Sequence, residues 1–159
     1  METKDVRKQV ELAVTPEFAF DVFTQHPSTW WPPHHLLLGQ PRVGLLMEPG
    51  VGGRYYEWDS NGNEADWGTI LEWNPSTKLR FTWRVGADFR PLVTDEGASE
   101  IEVLFKRSET GTNVELAHIK LDRLGDGAEV LRQALDGASP GDTLRLFKMA
   151  VDKLRHVSE

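Results

Sequence analysis

The feature that most constrains the fold of this sequence is an alternation of apolar and polar residues that recurs through the middle of the chain. Successive side chains of a β-strand point to opposite faces, so this period of two is typical of a strand with one buried face. Six strands are predicted in this way, at about residues 43–47, 54–58, 67–73, 79–85, 101–105 and 114–118. Asn61-Gly62 is a strong hairpin signal, and neighbouring hairpin strands usually pair with each other. The pattern therefore predicts an antiparallel sheet of consecutive strands.

The segments on either side of this central region are predicted to be mostly helical. A first strand over about residues 6–14 is followed by Thr15-Pro16, an N-cap residue and a proline at the first helical position. These two residues begin a short helix that ends near residue 25. A second short helix is predicted around residues 130–135. Ser139-Pro140-Gly141-Asp142 is a good start signal for a long C-terminal helix.

The C-terminal helix is amphipathic, with Leu144, Phe147, Val151 and Leu154 on one apolar stripe. Such a stripe must lie on another apolar surface, and the economical partner is the inner face of the sheet. The sequence therefore predicts a single α+β domain over residues 1–159, in which a curved antiparallel sheet packs on the C-terminal helix.

Composition excludes several classes of function. The chain has no Cys, which excludes disulfides, thiolate nucleophiles and zinc knuckles and fits a reducing cytosol. Its formal net charge of −7 argues against binding to a nucleic-acid backbone. It contains no apolar run of about eighteen residues and no signal peptide. We expect a cytoplasmic protein, monomeric or weakly dimeric, with no cofactor, no nucleic-acid partner and no membrane span.

The segment GGRYYEWDSNGNEADWGTILEWNPSTKLRFTW (52–83) resembles the central part of the START-like superfamily. Within it, the segment is most similar to the family named after the activator of the heat-shock protein ATPase. The shared motifs are Gly52-Gly53, Asn61-Gly62, Trp67-Gly68, Leu71-Glu72-Trp73-Asn74-Pro75 and Leu79-Arg80-Phe81-Thr82-Trp83. The resemblance implies a helix-grip fold, with a seven-stranded antiparallel sheet closed over the C-terminal helix and two short helices near the N-terminus. It also implies an apolar cavity between sheet and helix.

The residues expected to line this cavity come from the inward strand positions, the loop after the first helix and the helix stripe. They are Trp31, Tyr55, Trp67, Phe81, Trp83, Phe105, His118, Phe147 and Val151. The 27–41 and 86–98 loops are expected to gate the mouth of the cavity.

Two polar positions leave alternatives open. His118 follows Val114 and Leu116 on one strand face, where it is either a satisfied core residue or the titratable group of the cavity. Tyr55 and Glu57 share a face of their strand, but the sequence does not decide whether that face points inward or to solvent.

The segment HPSTWWPPHH (26–35) contains three of the five histidines, so a metal site has to be considered. The side chains of adjacent His34 and His35 would diverge, and neither Cys nor a carboxylate lies nearby to complete a tetrahedral shell. No metal site is therefore predicted. Because its prolines restrict the backbone, the segment is interpreted as a stiff loop whose Trp30-Trp31 pair packs along the cavity rim.

The function favoured by these observations is non-enzymatic binding of a small hydrophobic or aromatic, lipid-like ligand in the cavity. One alternative is a co-chaperone module that contacts a heat-shock ATPase, as the family resemblance implies. Another is an enzyme similar to the cyclases or hydrolases of the superfamily, with His118 or Glu57 as the acid or base.

Overall fold

The protein forms one seven-stranded antiparallel sheet and three α-helices, in a computed structural model that describes residues 5–31, 38, 41–86, 90–136 and 143–158. The strands lie side by side in the order β1-β7-β6-β5-β4-β3-β2, so every neighbour from β2 to β7 is also the next strand in the chain. Their bounds are Val6–Leu12 (β1), Gly44–Met47 (β2), Arg54–Trp58 (β3), Glu64–Asn74 (β4), Lys78–Trp83 (β5), Ser99–Arg107 (β6) and Thr112–Ile119 (β7). The predicted sheet of consecutive hairpins is confirmed.

Two short helices lie near the N-terminus. Helix α1 spans Pro16–Gln25, and its N-cap Thr15 accepts a hydrogen bond on Oγ1 from the backbone N–H of Phe18 at 3.1 Å. A single 3-10 turn, Pro27–Thr29, follows directly. The predicted start of this region is therefore confirmed, including the proline at the first helical position.

The C-terminal third contains the other two helices. Helix α2 spans Ala128–Asp136 and follows a 3-10 segment at Leu121–Gly127, while helix α3 spans Thr143–Ser158. The predicted start signal at residues 139–142 lies outside the described residues.

The apolar stripe of α3 packs against the sheet and α1. Phe147 and Val151 are fully buried, as is Phe23 of α1. The Phe23 ring lies 5.3 Å from that of Phe147 and 5.9 Å from that of Phe105 on β6, both edge to face. One helix from each end of the chain thus covers the same inner face of the sheet, as expected for the helix-grip fold.

Strict alternation along β4 would put Trp67, Thr69, Leu71 and Trp73 on one face, but the structure departs from it. The pairing register shifts opposite Tyr55/Tyr56 and again between Ile70 and Glu72. Each irregularity acts as a β-bulge, where one extra residue reverses the alternation beyond it. The inward positions of β4 are consequently Trp67, Ile70 and Trp73, and the extra bends add to the curvature of the sheet.

Gly68 makes the first of these bends possible. A Cβ atom at this position would overlap the backbone carbonyl oxygen of Thr82 on β5, where the two strands approach closely.

We expect Gly68→Ala to lower the free energy of unfolding by more than about 2 kcal/mol, because backbone of β5 would have to move. Gly62→Ala is the matched control. Gly62 has a φ of 80° but nothing within 4 Å of its Cβ position, so its replacement should cost only about 1 kcal/mol. Urea denaturation measures both variants, and a Gly68 variant as stable as the Gly62 variant would contradict the close approach.

Candidate functional site

A cluster of aromatic side chains lies at the centre of the inner face. The Trp31 ring contacts the rings of Tyr55 on β3, Trp67 on β4 and Trp83 on β5, at centroid distances of 5.2, 5.3 and 5.7 Å. Trp67 and Trp83 are stacked on each other at 5.0 Å. The cluster therefore joins three neighbouring strands to the segment after α1.

Backbone hydrogen bonds fix Trp31 in this position. Its N–H and that of Trp30 both donate to the carbonyl oxygen of Pro27, at 2.9 and 3.2 Å. The Trp30 indole donates to the carbonyl of Val22 at 3.3 Å, and Arg42 Nη2 donates to the carbonyl of Trp31 at 2.9 Å. The 3-10 turn therefore holds both tryptophans, while α1 also holds Trp30 and Arg42 also holds Trp31.

The structure places Tyr55 and Glu57 on the inner face, since both side chains are fully buried. Trp67 Nε1 donates to Glu57 Oε1 at 2.8 Å, and the backbone N–H of Leu38 donates to Oε2 at 3.4 Å. Burial lowers the pKa of Arg42, while the charge of Glu57 opposes this shift. Glu57 is therefore a hydrogen-bonded acceptor that orients Trp67 and balances the charge of Arg42.

Four buried side-chain atoms have no hydrogen-bond partner among the described residues. They are Trp31 Nε1, Tyr55 Oη, Ser99 Oγ and His118 Nδ1. Buried polar groups are nearly always hydrogen-bonded, so four exceptions in one protein need a physical reason. All four belong to residues in or beside the aromatic cluster.

The position of Ser99 and His118 follows from strand register. Ser99 is paired with Trp83, and His118 is paired with Val6 and Ile101, so both side chains lie on the inner face. The His118 ring lies 5.9 Å from that of Trp83. Trp83 thus contacts Trp31 and His118 and is paired with Ser99.

Burial keeps two titratable groups of this interior, Tyr55 and His118, neutral near pH 7. His118 is partly exposed as a residue, but its Nδ1 is buried, and burial lowers its pKa from 6.5 to about 4. Burial also raises the pKa of Tyr55, with Arg42 opposing and Glu57 adding to the shift. Near neutral pH, Tyr55 is therefore a phenol that can donate a hydrogen bond, and His118 is a neutral imidazole.

The nine residues predicted to line a cavity fall into two adjoining groups. Trp31, Tyr55, Trp67, Phe81, Trp83 and His118 surround one another, whereas Phe105, Phe147 and Val151 lie in the same core nearer α1 and α3. Trp30 links the groups, since it lies 5.4 Å from Trp31 and 5.1 Å from Phe147. Ser99 and Arg42 were not among the predicted residues. Ser99 is two residues before the inward Ile101, so alternation could have found it; Arg42 carries no such signal.

A cavity of about 530 Å³ lies on the other side of the tryptophan pair, against the flank of α3. It is lined by Ser28, Thr29, Trp30, Trp31, Pro41, Arg42, Leu146, Met149, Ala150 and Lys153. The predicted cavity was bounded by Phe147 and Val151 on the apolar stripe of α3. The observed cavity is bounded instead by the flank of that helix, so it lies beside the predicted one.

The described part of the 86–98 loop is held on the outer face of the sheet. Asp95 accepts hydrogen bonds from Thr82 Oγ1 at 2.7 Å and from Arg84 Nε at 2.8 Å. Burial opposes ionisation of Asp95, but these hydrogen bonds prevail and lower its pKa. Arg84 therefore anchors this loop. Most of the other expected gate, residues 32–37 and 39–40, lies outside the described residues.

Within the residues that the structure describes, no three His, Cys, Asp or Glu side chains are grouped to hold a metal ion. His34 and His35 lie outside those residues. No helix in the described part of the chain combines the length and apolar character needed to cross a membrane.

The burial of His118 predicts a specific pH dependence of stability. Its folded-state pKa lies below the ordinary value, so the unfolded chain binds more protons between about pH 4 and 6.5. The contribution of His118 to stability is therefore complete above about pH 6.5 and is lost as the pH falls toward 4. When the pH is lowered from 7 to 5, the free energy of unfolding should fall in both proteins. The fall should be about 1 to 2 kcal/mol smaller in His118→Leu than in the wild type.

Urea denaturation at the two pH values measures this difference. His26→Leu, which removes an exposed histidine at the end of α1, controls for the loss of one imidazole. A His118 variant with the same pH dependence as the wild type would show that folding does not lower the pKa of this imidazole.

The sequence matches the family model described as "Activator of Hsp90 ATPase homolog 1-like protein" over residues 13–152. No curated protein matches it. Among solved structures, the chain is similar to one described as "An anthrahydroquino-Gama-pyrone synthase Txn09 complexed with SUM". The two sequences are 52% identical, the match covers 94% of this chain and 97% of that chain, and the TM-score is 0.65.

More distant structures share the fold. A protein from Nitrosomonas europaea is 18% identical, with 94% of this chain and 95% of that chain covered and a TM-score of 0.66. A protein from Mesorhizobium loti is 15% identical, with 98% and 99% covered and a TM-score of 0.66. The family model extends from the end of β1 to α3 and therefore includes nearly all of the sheet and its covering helices. The chain belongs to the family of Activator of Hsp90 ATPase homolog 1-like proteins, with the START-like helix-grip fold.

Proposed function

We propose that the interior of this protein binds a planar, polycyclic aromatic molecule and promotes closure of a pyrone ring on it. The observation that carries the proposal is the set of four unpaired polar atoms around the aromatic cluster. The sequence favoured a purely binding protein, and the 52% identical relative, which is described as a synthase, supports the further step to ring closure.

The chemistry of the interior suits such a ligand. The rings of Trp31, Trp67 and Trp83 offer aromatic surface, and planar aromatic groups pack well edge to face or in offset stacks. Trp31 Nε1 and the Tyr55 hydroxyl can donate to ligand oxygens, which would remove the cost of leaving them unpaired. Because Tyr55 and His118 are both uncharged near neutral pH, the interior favours a neutral ligand with carbonyl and hydroxyl groups.

Ring closure would use the same atoms. With the β-diketone side chain in its enol form, an aryl hydroxyl oxygen of the ligand bonds to the enol carbon as it loses its proton, and the C=C electron pair moves to the remaining carbonyl oxygen. That electron pair then returns, the C=C bond re-forms, and the β hydroxyl leaves with the released proton as water, so no oxidant, reductant or co-reactant is needed. Tyr55 and Trp31 donate to the oxygen that gains charge, and His118 Nδ1 accepts from the aryl hydroxyl.

Tyr55→Phe is the sharpest test of the binding step, because it removes one hydroxyl and keeps the ring. We expect affinity for dihydroxyanthraquinone to fall about five- to tenfold, the value of one hydrogen bond in a buried site. Stability without ligand should stay unchanged or rise slightly, because the hydroxyl has no partner among the described residues. Calorimetric titration and urea denaturation measure the two quantities.

Tyr56→Phe is the matched control, since Tyr56 lies on the opposite face of β3 under the guanidinium of Arg54. Its affinity for dihydroxyanthraquinone should equal that of the wild type. Equal affinities for both variants, or no saturable binding by the wild type, would refute an interior binding site.

Ring closure is tested separately with an anthrahydroquinone that carries a β-diketone side chain. Chromatography with mass detection should show loss of one water faster with protein than in buffer, and His118→Leu should slow this loss. Tight binding without faster ring closure would refute the enzymatic step. The protein would then be a non-enzymatic binding protein, as the sequence favoured.

The other expected partner, a heat-shock chaperone, is supported by the family alone. Adding the protein to a chaperone ATPase assay tests it, and an unchanged rate would remove that partner.

A further inference from the structure

The 530 Å³ cavity lies beside the tryptophan pair and borders the aromatic interior, with which it shares Trp31 and Arg42. Trp30 and Trp31 form its inner wall, and Leu146, Met149 and Ala150 of α3 form the facing wall. Leu146 and Met149 lie beside the stripe that packs into the core through Phe147 and Val151, and Ala150 borders both the core and the cavity. The volume lies within the range of about 300–1,000 Å³ that is typical of small-molecule sites.

The charges around this cavity differ from those of the whole chain. The chain has 25 acidic and 18 basic residues, yet the described residues that line the cavity include Arg42 and Lys153 and neither Asp nor Glu. Arg42 is held on one side by its hydrogen bond to the carbonyl of Trp31. Lys153 is exposed on α3 and has no ion pair or hydrogen bond within the described part of the chain. Because Glu57 balances the charge of Arg42, Lys153 supplies the positive charge at the edge of this apolar cavity.

We propose that this cavity is a second binding site, and that it takes a small aromatic anion such as a carboxylate- or sulfonate-bearing compound. The aromatic part lies on Trp30 and Met149, and the anionic group lies beside Lys153. The interior, in which Tyr55 and His118 are uncharged, favours neutral ligands, so the two sites differ in the charge that they select. This site does not depend on the proposed ring closure.

Anilinonaphthalene sulfonate is the probe, because its fluorescence reports an apolar site and it carries one negative charge. Phenylnaphthylamine, which has the same aromatic groups without the sulfonate, is the neutral counterpart. Lys153→Gln should weaken binding of the sulfonate about three- to fivefold, the range expected for one exposed charge. Met149→Glu, at a position that is 57% exposed, should weaken it about tenfold.

Lys106→Gln is the matched control, since Lys106 is an exposed lysine on β6, away from the cavity. It should leave the affinity for the sulfonate unchanged. Lys153→Gln should leave the affinity for phenylnaphthylamine unchanged, and both α3 variants should leave the affinity for dihydroxyanthraquinone unchanged, which separates this site from the interior. Absence of sulfonate binding by the wild type, or an equal loss in the Lys153 and Lys106 variants, would overturn the proposal.

Discussion

The packing of Trp31 against three strands is the contact on which the rest of the interior depends. A strongly curved sheet exposes a concave apolar face, and one helix stripe is too narrow to cover all of it. Helix α3 covers one part through Phe147 and Val151, and the 3-10 turn after α1 inserts Trp31 over β3, β4 and β5. The aromatic cluster therefore completes the core of the fold and, in addition, forms the candidate site.

An aromatic interior of this kind has a chemical consequence. Tryptophan and tyrosine supply large apolar area, but each brings one polar atom that must be satisfied or left unpaired at a cost of about 1–3 kcal/mol. Trp67 is satisfied by Glu57. Trp31 and Tyr55 are not satisfied within the described residues, and the interior therefore retains binding capacity that an aliphatic core would lack.

The limits of sequence reasoning follow from the same physics. Alternation correctly placed Phe81, Trp83 and Phe105 on the inner face, because their strands pair without interruption. It failed in β4, where bulges reverse the alternation, and it could not orient Tyr55 and Glu57, because a short strand with aromatic residues on both faces has no clear apolar side. Arg42 lies outside any strand, so its contact with Trp31 could not be predicted from periodicity.

The indole N–H signals of the protein in a proton–nitrogen NMR spectrum test the central claim most directly. Trp31 Nε1 is buried without a partner, whereas Trp58 lies on the outer face of β3. On titration with dihydroxyanthraquinone, the Trp31 indole signal should shift and saturate at the affinity measured by calorimetry, while the Trp58 signal stays in place. A Trp31 signal that does not move at saturating ligand would contradict a binding site in the aromatic interior.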